Sequence, residues 1–402
     1  MTVALSALRQ EIDKRVRRTK ELMAERGYDA LIVYGSNKVS GSLRYLTDYF
    51  PDRAGWISLS GTDTAIVEGA AAVLTSKGQT ALLVDPGLMP TREICVDRVI
   101  GGDGFAAKLG DGLSLKNLKA VISEADSGIR RVGIETYDKF PAPLLLGLMK
   151  EYPDTEFVRS TVVEELRLVK SPFDVDMMRR AARVADLGHQ TFANALTRGT
   201  GKTELELIRL TEQAMRDKDP MYEDSCSSSP SLICSGHAIA GTLLHSPSAT
   251  KRIEQGDIVH WDICMRYEGY PVDSSRTRAL GMVRDEHRRC YDAVLEIHGE
   301  IVAGAKPGVL ASDLVLLASR IAEKHGYRLW NRFIGHGLGW DIHERPDMGT
   351  EELPLAANMV LAVEPRLTCD DIYLLGNEDM VLVTPQGGVA LTEFPKEPLR
   401  VL

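Results

Sequence analysis

The 402-residue sequence has no excess of basic charge: 48 Lys and Arg stand against 57 Asp and Glu, a formal net charge of -9. Such a chain has no electrostatic footprint for nucleic acid or for an anionic membrane. No apolar run approaches the ~18 residues of a membrane span. Cysteine is scarce, with six in all, and none forms a C-x-x-C pair. Free thiols in a reducing compartment are therefore expected, and a disulfide framework is not. Residues Met1 to Arg18 alternate apolar and charged types and lack the apolar core and cleavage site of a secretory signal, so a cytoplasmic location is expected. No internal repeat is visible, and the only low-complexity stretch is the serine-rich run Cys226 to Ser231.

What is present is globular: 44% hydrophobic, 26% charged, with 35 Gly and 18 Pro. The length predicts two domains. Leu8, Ile12, Val16, Leu22 and Met23 keep helical spacing up to Gly27, which stops the helix. The runs 29–34, 81–84 and 131–135 read as strands, with helices over 113–125 and 142–152, an α/β layer pattern. Lys170, Ser171 and Pro172 break that pattern, and an N-cap opens a new helix there. The expected division is an N-terminal α/β domain over 1–165 and a C-terminal domain over 166–402. Helices over 174–196, 204–218 and 285–303, strands within 231–278, and a β-rich stretch from Arg328 onward make the second domain α+β.

Four pieces of the C-terminal domain carry candidate chemistry. Asp262 lies in an apolar strand-like run and Asp273 follows it past Gly269 and Pro271, so two strands joined by a turn would set the carboxylates side by side. Like charges so close repel unless a cation lies between them. Two turn-capping aspartates would look the same. His336 stands between two glycines, where backbone can approach a ligand closely, and His343 and Glu344 follow. A lone histidine is more often structural, but two in one glycine-rich turn favour a site. Glu364 closes an apolar strand, and Glu378 with Asp379 opens another; exposed strand ends are the plainer alternative. Taken jointly, four carboxylates and one imidazole form an oxygen-rich set suited to a pair of Mn, Co, Fe or Zn ions and too carboxylate-rich for a structural zinc. Two ions ~3.5–4 Å apart can clamp a tetrahedral intermediate.

These motifs, in this order, resemble the pita-bread metallopeptidases, the family of proline dipeptidase, aminopeptidase P, methionine aminopeptidase and creatinase. The likeness spans nearly the whole chain and includes the linker Leu166 to Ala182. It implies an α+β pita-bread catalytic domain preceded by a smaller α/β domain. It also implies two divalent ions, manganese first and cobalt, zinc or iron as alternatives. Asp262 would be a terminal ligand, Asp273 and Glu378 would bridge, His336 would bind the second ion, and Glu364 would be both ligand and proton shuttle. His245 matches the family's substrate-binding histidine and His343 the one that stabilises the tetrahedral intermediate. A homodimer is implied as well, with residues Tyr49 to Trp56 as a candidate arm reaching the partner's site.

Two positions depart from the proline-specific relatives. They usually carry Arg two positions before the bridging glutamate, where this chain has Gly376, and Gly two positions after the shuttle glutamate, where it has Arg366. Strand parity turns Arg366 to the side of Glu364, so Arg366 is expected to bind an anionic end of the substrate. The expected activity is cleavage of a peptide or amide C–N bond, as in Xaa-Pro dipeptidases or aminopeptidases, on a short peptide. The alternative is a small non-peptide substrate, as for ectoine hydrolase, creatinase or dimethylsulfoniopropionate lyase. Creatinase-type chemistry works without the full ligand set, which is intact here. A binding module without catalysis would normally have lost ligands, and this chain has lost none.

Overall fold

A computed structural model describes residues 5–36, 38–51, 69–76, 78–84, 95–101, 112–125, 128–197, 201–218, 222–224, 231–236, 247–369 and 373–399. The chain divides into two compact units, 1–167 and 168–402. Among the described residues no helix is long and apolar enough to cross a membrane. The five described cysteines are all buried, and none is in a disulfide. Cys226, His245 and residues 52–56 of the candidate arm lie outside the described residues.

The first unit is a mixed six-stranded sheet with helices packed on it. In chain order it comprises α1 (Leu5–Glu25), β1 (Ala30–Gly35), α2 (Gly41–Thr47), β2 (Ala70–Thr75), β3 (Ala81–Leu83) and β4 (Arg98–Ile100). It continues with α3 (Leu115–Ile122), β5 (Arg131–Glu135), α4 (Ala142–Glu151), β6 (Glu156–Arg159) and α5 (Val162–Leu168). Strand order is β4-β3-β2-β1-β5-β6. β1 runs parallel to β5 but antiparallel to β2. Gly27, at φ 67, ends α1 in the left-handed conformation that only glycine adopts without cost. Ile32, Val73, Ile134, Leu118 and Leu148 share one core, with Tyr34 and Phe140 edge to face at 5.8 Å.

The second unit begins with α6 (Pro172–Thr197) and α7 (Glu204–Lys218). Both helices start as their sequences dictate. Ser171 and Asp174 exchange side-chain-to-backbone bonds at 3.0 and 3.2 Å, and Thr203 with Glu206 repeats the box. Strands β7 (Tyr222–Asp224), β8 (Ser231–Ser235), β9 (Ile258–Tyr267) and β10 (Tyr270–Ala279) form one sheet in which β9 is central. The β9–β10 hairpin turns at Glu268 and Gly269, both at positive φ, as a two-residue hairpin turn requires. One face of this hairpin packs on α6. Trp261 stacks on Phe192 at 4.1 Å and donates its indole N–H to His189 Nδ1, whose Nε2 lies 2.9 Å from Ser274 Oγ.

Next come α8 (Asp285–Gly304) and α9 (Ala311–Lys324), then β11 (Arg328–Leu329), β12 (Gly335–Gly337), β13 (Glu344–Asp347), β14 (Val360–Val363) and β15 (Arg366–Cys369). The chain finishes with β16 (Tyr373–Gly376), β17 (Asp379–Thr384) and β18 (Gly387–Ala390). They form a five-stranded sheet β13-β12-β14-β17-β18 and a three-stranded sheet β11-β15-β16. Val294, Ile297 and Ile301 of α8 and Leu314 and Ala318 of α9 bury against Leu361, Val363, Val381 and Val383. Helix pairs therefore cover the sheets, and the polar faces of β9 and β10 meet the ends of β14 and β17.

Candidate metal centre

Parity in the hairpin decides which side chains share a face. Trp261 and Ser274 belong to the α6 side, so Asp262, Cys264 and Asp273 point the other way. Cys264 is directly opposite Asp273 and Ser275 is opposite Asp262, which makes the two aspartates diagonal neighbours in mid-strand. The turn-cap alternative for these two residues is thereby excluded. Across from them, Ser275 and Glu378 exchange backbone hydrogen bonds at 3.1 and 3.3 Å and join the two sheets at the site. Glu378 owes its direction to its neighbour. Asp379 is fully buried and held by Arg276 at 2.8 Å, by Thr392 Oγ1 at 2.8 Å and by Lys396, so the preceding side chain is turned to the opposite side.

His336 lies in β12, clamped between β13 and β14. Its flanking glycines serve that clamp: a Cβ on Gly335 would strike the Ala362 carbonyl, and one on Gly337 the Arg345 carbonyl. The His336 Nδ1 proton goes to the Gly337 carbonyl at 2.9 Å, which leaves Nε2 with its lone pair in the neutral ring. Nε2 lies 3.6 Å from Asp273 Oδ2 and 3.6 Å from Glu364 Oε1, beyond hydrogen-bond reach of both. Among the described residues, His336 Nε2 and Glu378 Oε2 are buried without a hydrogen-bond partner.

The structure thus brings the five predicted ligands and His343 into one continuous cluster. Ligand atoms of Asp262, Cys264 and Asp273 lie within 4.8 Å of one another, as do those of His336, Glu364 and Glu378. Asp273, His336 and His343 form a third such trio that links the first two. His343 Nε2 is 3.9 Å from Asp273 Oδ2, its side chain is 75% exposed, and its ring meets His336 edge-on at 4.2 Å. Charge is strained here. Burial, followed by the carboxylates of Asp273, Glu364 and Asp262, pushes Glu378 well above the usual carboxylate range. Burial would depress His336, but Asp273 and Glu364 outweigh it and the imidazole is pushed up.

Arg366 is buried, and its Nε and Nη2 both donate to Glu364 Oε2, at 3.1 and 2.7 Å. Parity was therefore a sound guide to its direction. Its partner in this structure is the predicted shuttle glutamate itself, which sequence reasoning did not foresee. Sequence reasoning also passed over Cys264, although two-residue spacing from Asp262 was signal enough. It passed over Lys170 too. The Lys170 ammonium meets Glu344 Oε2 at 3.3 Å, while Glu344 Oε1 accepts from the backbone N–H of Trp340 and Asp341 at 2.5 and 2.9 Å. This buried pair fixes the loop that presents His343.

Known proteins match this architecture along the whole chain. The sequence pattern of metallopeptidase family M24 fits residues 176–385, and that of the creatinase/prolidase N-terminal domain fits residues 15–169. The chain belongs to metallopeptidase family M24. An Xaa-Pro dipeptidase of Pyrococcus horikoshii is 30% identical over 280 residues, 68% of this chain and 76% of that one. The prolidase structure from P. horikoshii OT3 superposes with a TM-score of 0.74 at 24% identity, over 96% of this chain and 100% of that one. An Xaa-Pro dipeptidase from Bacillus anthracis gives 0.75 at 24% identity, over 97% and 100%. In this M24 chain the second unit is the α+β pita-bread domain and the smaller first unit is the α/β domain that precedes it. Family membership makes it a metal-dependent peptidase by type.

Proposed function

We propose that this chain is a dinuclear-metal-dependent hydrolase that cleaves a peptide or amide C–N bond, in the manner of an Xaa-Pro dipeptidase or aminopeptidase. The observation that carries this reading is His336 Nε2. Buried without a hydrogen-bond partner, it faces carboxylate oxygens of Asp273 and Glu364 at 3.6 Å each, beyond hydrogen-bond reach, and a shared cation would satisfy all three groups. The residues therefore fit a metal. Asp262, Asp273, His336, Glu364 and Glu378 would hold two divalent ions, manganese by the oxygen-rich donor set, with cobalt, zinc or iron as alternatives. Bound there, the ions would polarise the scissile carbonyl and acidify a water.

The chain's own groups do the rest. Glu364 takes the proton of the attacking water and delivers it to the leaving amine. Arg366 holds Glu364 Oε2 and leaves Oε1 on the His336 side. His343 donates to the developing oxyanion, a role shared with His245. The remaining N–H groups of Arg366 take an anionic end of the substrate. The enzyme works as a cytoplasmic homodimer on short peptides.

Arg366 supports a second reading, a small non-peptide substrate bearing a carboxylate, because its guanidinium replaces the arrangement of the proline-specific relatives. Metal analysis of the purified protein with a panel of X-Pro dipeptides, longer X-Pro peptides and small N-acyl or amidine compounds separates the two. Two ions per chain with turnover of one class supports the reading, and a metal-free protein inert on the whole panel defeats it. Full activity from a monomer by light scattering would exclude a shared site.

A further inference from the structure

Cys264 is 5% exposed and stands directly across the hairpin from Asp273. Alternation along β9 puts it on the same face as Asp262. Its Sγ lies within 4.8 Å of a carboxylate oxygen from each of those aspartates, and its thiol donates to Asp273 Oδ1 at 3.3 Å. A tetrahedral zinc with sulfur at ~2.3 Å and oxygen at ~2.0 Å sets those two atoms about 3.5 Å apart, so little movement separates the hydrogen-bonded pair from a liganding pair. The cluster that this trio joins also contains the buried, unpartnered His336 Nε2 and Glu378 Oε2.

We propose that Cys264 is a ligand of the ion held by Asp262 and Asp273, giving this chain a sulfur-containing position selective for zinc or cobalt over manganese. The inference rests on the dinuclear reading above and refines it. On binding, the thiol proton leaves to solvent and the thiolate completes a donor set of one sulfur and carboxylate oxygens. Soft sulfur favours zinc and the later divalent ions, whereas carboxylate oxygen alone also suits manganese.

Cobalt titration of the chelator-stripped full chain tests this directly. Visible d–d absorption reports that cobalt is bound, and near-ultraviolet sulfur-to-cobalt charge transfer reports a thiolate ligand. Wild type is expected to show both. Cys264→Ser and Cys264→Ala are expected to keep the visible bands and lose the near-ultraviolet one, with the zinc-to-manganese affinity ratio falling at least tenfold. On wild type alone, zinc should slow iodoacetamide labelling of Cys264, mapped by mass spectrometry, more than manganese does. Visible bands without charge transfer in wild type, or charge transfer that survives in both variants, overturns the thiolate ligand and leaves the dinuclear reading standing. Absence of visible bands in wild type overturns the dinuclear reading and this inference with it.

Discussion

Arg366 and Gly376 are direct cross-strand partners in β15 and β16, and a Cβ on Gly376 would come within 2.8 Å of Arg366 Cγ. The bare glycine is what admits the arginine. By resemblance, proline-specific relatives carry the reverse pair, with arginine at the Gly376 position and glycine at the Arg366 position. In this chain the guanidinium reaches Glu364 from β15, opposite Gly376. Gly376→Arg alone should therefore crowd Arg366 and lower kcat/KM at least tenfold. The double variant Arg366→Gly/Gly376→Arg should relieve the crowding and raise activity on X-Pro dipeptides above that of wild type. Steady-state kinetics on all three proteins checks this; a harmless single variant would show that the two positions do not share space.

Removing the guanidinium should expose its two duties separately. Arg366→Lys keeps the charge but loses the planar N–H groups that would pair with an anionic substrate, so KM for such a substrate should rise more than kcat falls. Arg366→Ala should cost roughly 1.5–3 kcal/mol in kcat/KM, the usual range for a hydrogen bond to a charged group. Unchanged kcat/KM in Arg366→Ala for the best substrate would dismiss both roles.

Glu364→Ala should abolish nearly all turnover and release part of the metal, because one side chain is proposed as both ligand and proton carrier. Metal content by elemental analysis and kcat by assay give the two readouts. Wild-type rates with full metal would remove Glu364 from the mechanism.

Much of this site was legible because it is built on alternation. The β9–β10 hairpin turns at Glu268 and Gly269 after the apolar run of β9, and parity then fixes the faces of Asp262 and Asp273. The start of α6 was legible from Ser171 and Pro172. Other features depend on contacts between distant segments. Nothing local says that Glu378 pairs with Ser275, or that Arg276 pins Asp379 and so turns Glu378 to the site. The packing role of the glycines beside His336 was not legible either, because the Ala362 and Arg345 carbonyls that require them lie on neighbouring strands. Helix α9 went unassigned although Leu314, Val315, Ala318, Ile321 and Ala322 keep helical spacing on its buried face. In the first unit, β2 opens on three alanines, which are depleted in strands, and only Val73 and Thr75 mark it as one.

The Lys170–Glu344 pair is almost completely buried, with side chains 2% and 4% exposed. Lys170→Met would strand the Glu344 carboxylate, and breaking one partner of such a pair costs ~3–5 kcal/mol. The expected result is lower stability in urea, with kcat reduced through a displaced His343 and the affinity for metal ions little changed. Lys170→Met/Glu344→Gln, which removes both charges, should recover part of the stability. A double variant no more stable than the single one would mean that the ion pair is not what the loop depends on.

Glu135 provides a test of the first unit that is independent of the metals. Burial raises its carboxyl to about 7, against the opposing pull of the Val163 N–H and the Ser160 hydroxyl, both bonded to Oε1. The folded value is thus above the unfolded one, near 4.5. Between those values the folded state holds the extra proton, so stability falls as pH rises from about 4.5 to about 7 and then levels off. At ~1.4 kcal/mol per unit the whole effect is at most about 3.5 kcal/mol. Glu135→Gln keeps an acceptor at Oε1 and has no charge to bury. It should match wild type near pH 4.5 and be the more stable protein at pH 8, as read from denaturant midpoints at the two pH values. A variant less stable than wild type at pH 8 would mean that the ionised carboxylate, and not its neutral form, is what the fold prefers.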